Sequence, residues 1–149
     1  MRQLYSIIII SVFTFVNTSC TNSSHSNHDG PDALEQLHSE VMTIHDEVMP
    51  RMQDIMKLKS EVKYIMDSLL VVGQDELESK IIELKALHNQ LEEADQRMMN
   101  WMHEFHPVAD SISIEAAEIY LKKEKAKIAE VKTIMLKAIE DASRVVTED

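Results

Sequence analysis

Apolar residues recur at alternating steps of three and four along most of this chain, in three long runs. The first holds Leu34, Leu37, Val41, Ile44 and Val48, then resumes as Ile55, Leu58, Val62, Ile65 and Leu69. One residue further on lies a second line: His38, Met42, His45, Met49, Met52 and Met56. Two adjacent stripes at heptad spacing form a face wide enough to touch two partner helices at once. Pro31 and Asp32 suit the opening of this helix, because proline is preorganised for an early position and Asp favours the positive helix end. Pro50 interrupts the run, yet the apolar pattern passes straight through it. The expectation is a kink and not an end. Gly73 closes the helix and Asp75 is the expected N-cap of the next.

The second run carries Leu77, Ile81, Leu84, Leu87, Leu91, Ala94, Met98, Trp101 and Phe105, and Pro107 stops it, giving a helix over 76–106. Ser113 can cap a third helix, over 114–146, whose stripe is Ala117, Leu121, Ile128, Val131, Met135, Ala138, Ala142 and Val145. Short connections make neighbouring helices antiparallel. The pattern therefore predicts an all-α fold, an antiparallel up-down-up three-helix bundle over 32–149. Folding the first pair about Gly73 by equal steps sets Met49 near Met98, His45 near Trp101, Met42 near Glu104 and His38 near Pro107.

Composition agrees with a single helical domain. The 149 residues include two glycines, three prolines and 5% aromatics, too few turn and strand formers for a β-rich fold. The net charge of −11, or −12 without Arg2, repels phosphate backbones, and no basic stripe offsets it. Nucleic acid is not an expected partner. The mixed-sign block Lys122–Lys127 reads as a solvated face. One cysteine excludes an intrachain disulfide and a thiolate cluster.

The N-terminus sets the expected compartment. Arg2 precedes an apolar run from Ile7 to Val16, followed by Asn17, Thr18, Ser19 and Cys20. A positive start, a short apolar core and small residues before a cut site describe an export signal, here 1–19. The run is short for a permanent membrane span. Cys20 after two small residues resembles the lipobox of bacterial lipoproteins, although Asn17 stands where such boxes usually carry Leu. That resemblance implies acylation of Cys20 and a membrane anchor, with the protein in the bacterial envelope facing the periplasm. Two or more acyl chains hold durably, at about 0.8 kcal/mol per buried CH₂. Residues 20–31 then form the acylated cysteine and a polar tether, in which the ten from Thr21 to Gly30 reach roughly 17 Å as a coil.

Candidate chemistry gathers in two segments. Of nine methionines beyond Met1, seven lie in 42–56 and 98–102. With His38, His45, His103 and His106 they fall at one end of the predicted hairpin. Thioethers suit Cu(I) and imidazoles suit Cu or Zn, and such groups three or four apart on one helical face can converge on one ion. The candidate set is His38, Met42, His45, Met49, Met98, Met102, His103 and His106. The competing reading is that methionine, an adaptable filler, simply packs the seam. Catalytic patterns are missing. His103-Glu104-Phe105-His106 spaces its histidines three apart, whereas the zinc motif HExxH needs four. A di-iron bundle needs two Glu-x-x-His motifs, and only Glu35–His38 qualifies. His88 and Asp95 lie at the seam of the second helix, where a helix–helix hydrogen bond is the simpler role. The expectation is no enzyme but a binding or structural role, with a protein partner or a second copy of the chain on the methionine-rich surface.

The segments IHDEVMPRM (44–52), ADQRMMNWMHEF (94–105) and YLKKEKAKI (120–128) resemble a group of small helical lipoproteins of Bacteroidota-type bacteria, a group labelled "viral A-type inclusion protein". The resemblance spans nearly all of the mature chain and implies an envelope lipoprotein with a helical fold. It brings no assigned site residues.

Overall fold

Proline at position 50 has no amide hydrogen to donate and crowds the turn before it. The computed structural model, which describes residues 31–72 and 77–148, relieves this by tightening Met49–Arg51 into one 3-10 turn. Helix α1 (Pro31–Val48) leads into that turn and α2 (Met52–Val72) leaves it. The apolar line continues across the junction, from buried Val48 to buried Ile55. Where a kink is expected at Pro50, the helix changes type for one turn, and the rod does not end there. The proposed signal 1–19, Cys20, the tether through Gly30, Gly73 and Asp75 lie outside the described residues.

Helix α3 spans Glu78–Glu104, and α4 spans Ile114–Glu148. Ser113 caps α4 as expected: its Oγ accepts the Ala116 amide at 3.3 Å, and its carbonyl accepts the Ala117 amide at 2.9 Å. Helix α3 ends two residues before the expected His106, with Phe105 already extended at ψ 120°. A residue preceding proline is pushed out of the helical region, so His106 could not remain helical ahead of Pro107. The described residues contain no strand, and three helical rods (α1 with α2, α3, α4) pack together.

One apolar core joins them. Val41, Val48, Ile55 and Val62 meet Leu84, Leu91 and Met98 from α3 and Ile128, Met135 and Ala142 from α4, all essentially inaccessible to water. Each large side chain so buried contributes about 1.5–3 kcal/mol relative to exposure. All eight residues of the predicted α4 stripe are buried, as are Leu84, Leu87, Leu91, Ala94, Met98 and Trp101 of the α3 stripe.

Ion pairs bracket every interface. Lys59 on α2 reaches Glu92 and, at 3.0 Å, Asp95 on α3. Arg97 on α3 reaches Glu130 on α4 at 3.4 Å. Lys125 and Lys132 on α4 reach Glu40 and Glu47 on α1. The role expected for Asp95, a polar link between helices, is the one observed.

Candidate functional site

Residues three and four apart on a helix lie above one another, so His38, Met42 and His45 share an edge of α1 that Met49 continues in the 3-10 turn. On α3 the same spacing aligns Met98, Trp101, Met102 and Phe105. The two edges meet. The His45 ring lies 5.6 Å from that of Trp101, and the His38 ring lies 6.0 Å from that of Phe105. The equal-step count placed His45 correctly and set His38 two residues too far, at Pro107. After Glu104 the chain leaves its helical rise, so equal steps no longer apply beyond it.

The rings continue as a ladder. Trp101 stacks on Phe105 at 4.9 Å, and Phe105 stacks on Tyr120 of α4 at 6.3 Å. Tyr120 Oη also grips the loop, accepting the His106 amide at 2.9 Å and donating to the His106 carbonyl at 3.0 Å. Stacked aromatic pairs add about 0.5–1.5 kcal/mol each beyond area burial.

The eight predicted ligand residues occupy different environments. Met98 is fully buried in the core, and Met49 and Met102 pack against it half-buried. Met42 and His45 are also half-buried, while His38, His103 and His106 are exposed. The structure brings His45 against Trp101 and leaves Met42, Met49 and Met102 half-buried, whereas His103 and His106 are exposed. His45 Nδ1 is engaged by Asp46 Oδ1 at 2.8 Å. Among the described residues no three imidazole, thiol or carboxylate groups converge as ligands for a metal ion. Thioether sulfur is not among those groups.

Two polar atoms in this neighbourhood were not foreseen. Glu124 is 2% exposed, in the gap that the α4 stripe leaves between Leu121 and Ile128. Its Oε1 pairs with Lys127 Nζ at 2.9 Å, while Oε2 lacks a partner, as does the buried Nε1 of Trp101. The hydrogen bond that Lys127 donates to Glu124 raises the Lys127 pKa above its ordinary value, against the opposing effect of burial. The missing step in the heptad was the available signal for Glu124. A charged residue there reads first as an interruption of the stripe and not as part of it.

Beside Trp101 an open groove of ≈ 430 Å³ runs between α3 and α4, with Val131 at its base and Arg97, Lys127, Glu104 and Glu130 around it. Both cations are already held by carboxylates, Arg97 by Glu93 and Glu130, and Lys127 by Glu124 and Glu104. Electrostatics elsewhere are of the same kind. A hydrogen bond from Lys59, then one from Gln96, holds the Glu92 carboxyl below its ordinary value, and the reciprocal bond raises Lys59. These are interhelical fastenings.

Compared with known protein families, curated proteins and solved structures, the chain matches none. Its function rests on its own residues.

Proposed function

We propose that this chain is a membrane-anchored bacterial envelope lipoprotein whose helical bundle acts by binding or as a structural component, without catalysis. The bundle is read as antiparallel, up-down-up. Three pairings support that arrangement, because rising numbers on the first rod meet falling numbers on α3: His38 with Phe105, His45 with Trp101, and Lys59 with Glu92 and Asp95. The rising pairs Glu40–Lys125 and Glu47–Lys132 support α4 running alongside α1 in its own direction. The anchor rests on the sequence around Cys20 and on the resemblance to helical lipoproteins. No described helix is long and apolar enough to cross a membrane.

The observation that carries a binding role is an apolar line on the outside of α2. Met56, Tyr64 and Val71 are 55%, 74% and 87% exposed, at steps of eight and seven that keep them on one face. An adjoining groove is lined by Ser60, Glu61, Tyr64, Ile65 and Val146. Exposed apolar lines of this kind mark surfaces for a partner helix.

Two measurements test the reading. A fatty-acid analogue should label the wild-type chain in bacterial cells and leave Cys20→Ala unlabelled. An envelope crosslink formed from position 64 should disappear in Val71→Lys while helicity is unchanged. An unlabelled wild type removes the anchor, and a crosslink indifferent to Val71→Lys removes the binding face.

A further inference from the structure

A histidine that binds a metal through one ring nitrogen usually donates the proton on the other to a carboxylate, which fixes the tautomer and aims the free nitrogen. His45 has that arrangement. Asp46 Oδ1 lies 2.8 Å from Nδ1, so the tautomer that donates from Nδ1 to Asp46 presents an Nε2 lone pair, and the side chain is only 17% exposed. Two thioethers flank His45 at helical spacing, Met42 three residues before it on α1 and Met49 four after it in the 3-10 turn. Across the interface lies Trp101, with Met102 beside it in sequence and Met98 one turn away in the core.

We propose that this edge binds a single Cu(I) ion. His45 Nε2 and the thioethers of Met42, Met49 and Met102 supply the ligands, and the Trp101 ring lies against the site. The inference goes beyond the binding face on α2, with which this edge shares no residue. The choice of ion follows from the donors. One neutral imidazole with uncharged sulfurs is a soft set that favours Cu(I), whereas Zn²⁺ and harder cations favour thiolate, several imidazoles or carboxylates. No three such groups converge among the described residues. An indole face attracts a nearby cation through its ring quadrupole, and more strongly where water is excluded. Trp101 is buried to that degree, at 5% exposure. Met42, Met49 and Met102 are half-buried residues, which leaves this edge open to solvent as a fully enclosed site would not be. His103 and His106 are exposed and lie outside the proposed set.

The test uses the full chain in detergent, with ascorbate present and Cu(I) supplied as its bicinchoninate complex at micromolar concentration. The wild type should withdraw one equivalent of copper, with Trp101 emission falling in step; it is the one tryptophan of the chain. Replacing Met42, Met49 and Met102 together by Leu preserves apolar volume and should abolish the transfer. His45→Gln should do the same. Asp46→Asn should weaken binding by about 10–100-fold, the usual effect of losing a carboxylate behind a ligand histidine. His103→Ala with His106→Ala should bind as wild type does. Far-UV circular dichroism confirms that each variant is helical. A chelator that stays fully loaded overturns the site, as does undiminished transfer in helical His45→Gln. The fatty-acid label and the position-64 crosslink are read separately, so failure of the copper site is distinguishable from failure of the anchor or of the binding face.

Discussion

Glu124 donates nothing to the apolar seam it occupies, and its one side-chain partner among the described residues is Lys127, at 2.9 Å. A carboxylate 2% exposed with one oxygen unpartnered gives up hydration that a single lysine only partly replaces. Glu124→Leu should therefore raise stability, by about 1–3 kcal/mol on the pattern of buried ion pairs replaced by apolar residues. Urea unfolding followed by circular dichroism measures it. A lower midpoint in the variant would mean that the pair repays its desolvation in full.

Core and surface methionines should separate sharply. Met98 is inaccessible, and Met98→Ala should cost about 2–5 kcal/mol through lost burial and the cavity left behind. Met56 is 55% exposed, and Met56→Ala should change stability by no more than about 0.5 kcal/mol. Equal losses in thermal unfolding would contradict the assigned faces.

The hydroxyl of Tyr120 fastens the loop after α3 by two hydrogen bonds to His106. Tyr120→Phe keeps the ring on Phe105 and removes both bonds, at about 1 kcal/mol. Hydrogen exchange should report it directly. The His106 amide should exchange faster in the variant, while amides in the centre of α3 stay as protected as before.

Stability should fall toward both ends of the pH scale. Glu40, Glu92 and Asp141 are held below their ordinary pKa values, chiefly by hydrogen bonds from Lys125, Lys59 and Lys137 respectively. Groups lowered on folding contribute stability that is complete above the ordinary carboxyl range, about 4. It is lost as pH falls through their lowered folded values. Lys59 and Lys127 are raised, by hydrogen bonds to Glu92 and Glu124, so their contribution is complete below about 10.4 and is lost as pH rises through the raised values. Lys59→Met frees Glu92 and Asp95, so the urea midpoint should change less between pH 7 and pH 3 than it does in the wild type.

The helical pattern was legible because steps of three or four gather burial on one face, and the spacing selected every buried residue of α3 and all those of α4 except Glu124 and Ile139. The His45–Trp101 contact was legible too, since two helices joined by only a few residues pair positions at roughly equal distances from the connection. The sequence reading lost its hold where helical geometry stops. The early end of α3 depends on what His106 can adopt before Pro107, and that displaced the partner of His38 from Pro107 to Phe105. Glu124 escaped notice because a solvated charge and a buried one look alike until a neighbouring helix closes over them. The split of the eight candidate ligands between interior, edge and solvent depends on the third helix, whose rotation no local spacing specifies.

The fastenings between α1 and α4 discriminate among alignments. Glu40 meets Lys125 and Glu47 meets Lys132, each across 85 residues of chain, so both pairs express one offset. Sliding α4 by a heptad in one sense would confront Glu40 with Glu118, and in the other would confront Glu47 with Ile139, which is buried. Apolar contacts tolerate a seven-residue slip, because every heptad offers much the same surface. A slip either way re-forms one pair, Glu47–Lys125 or Glu40–Lys132, and loses the other, so only one alignment satisfies both glutamates at once.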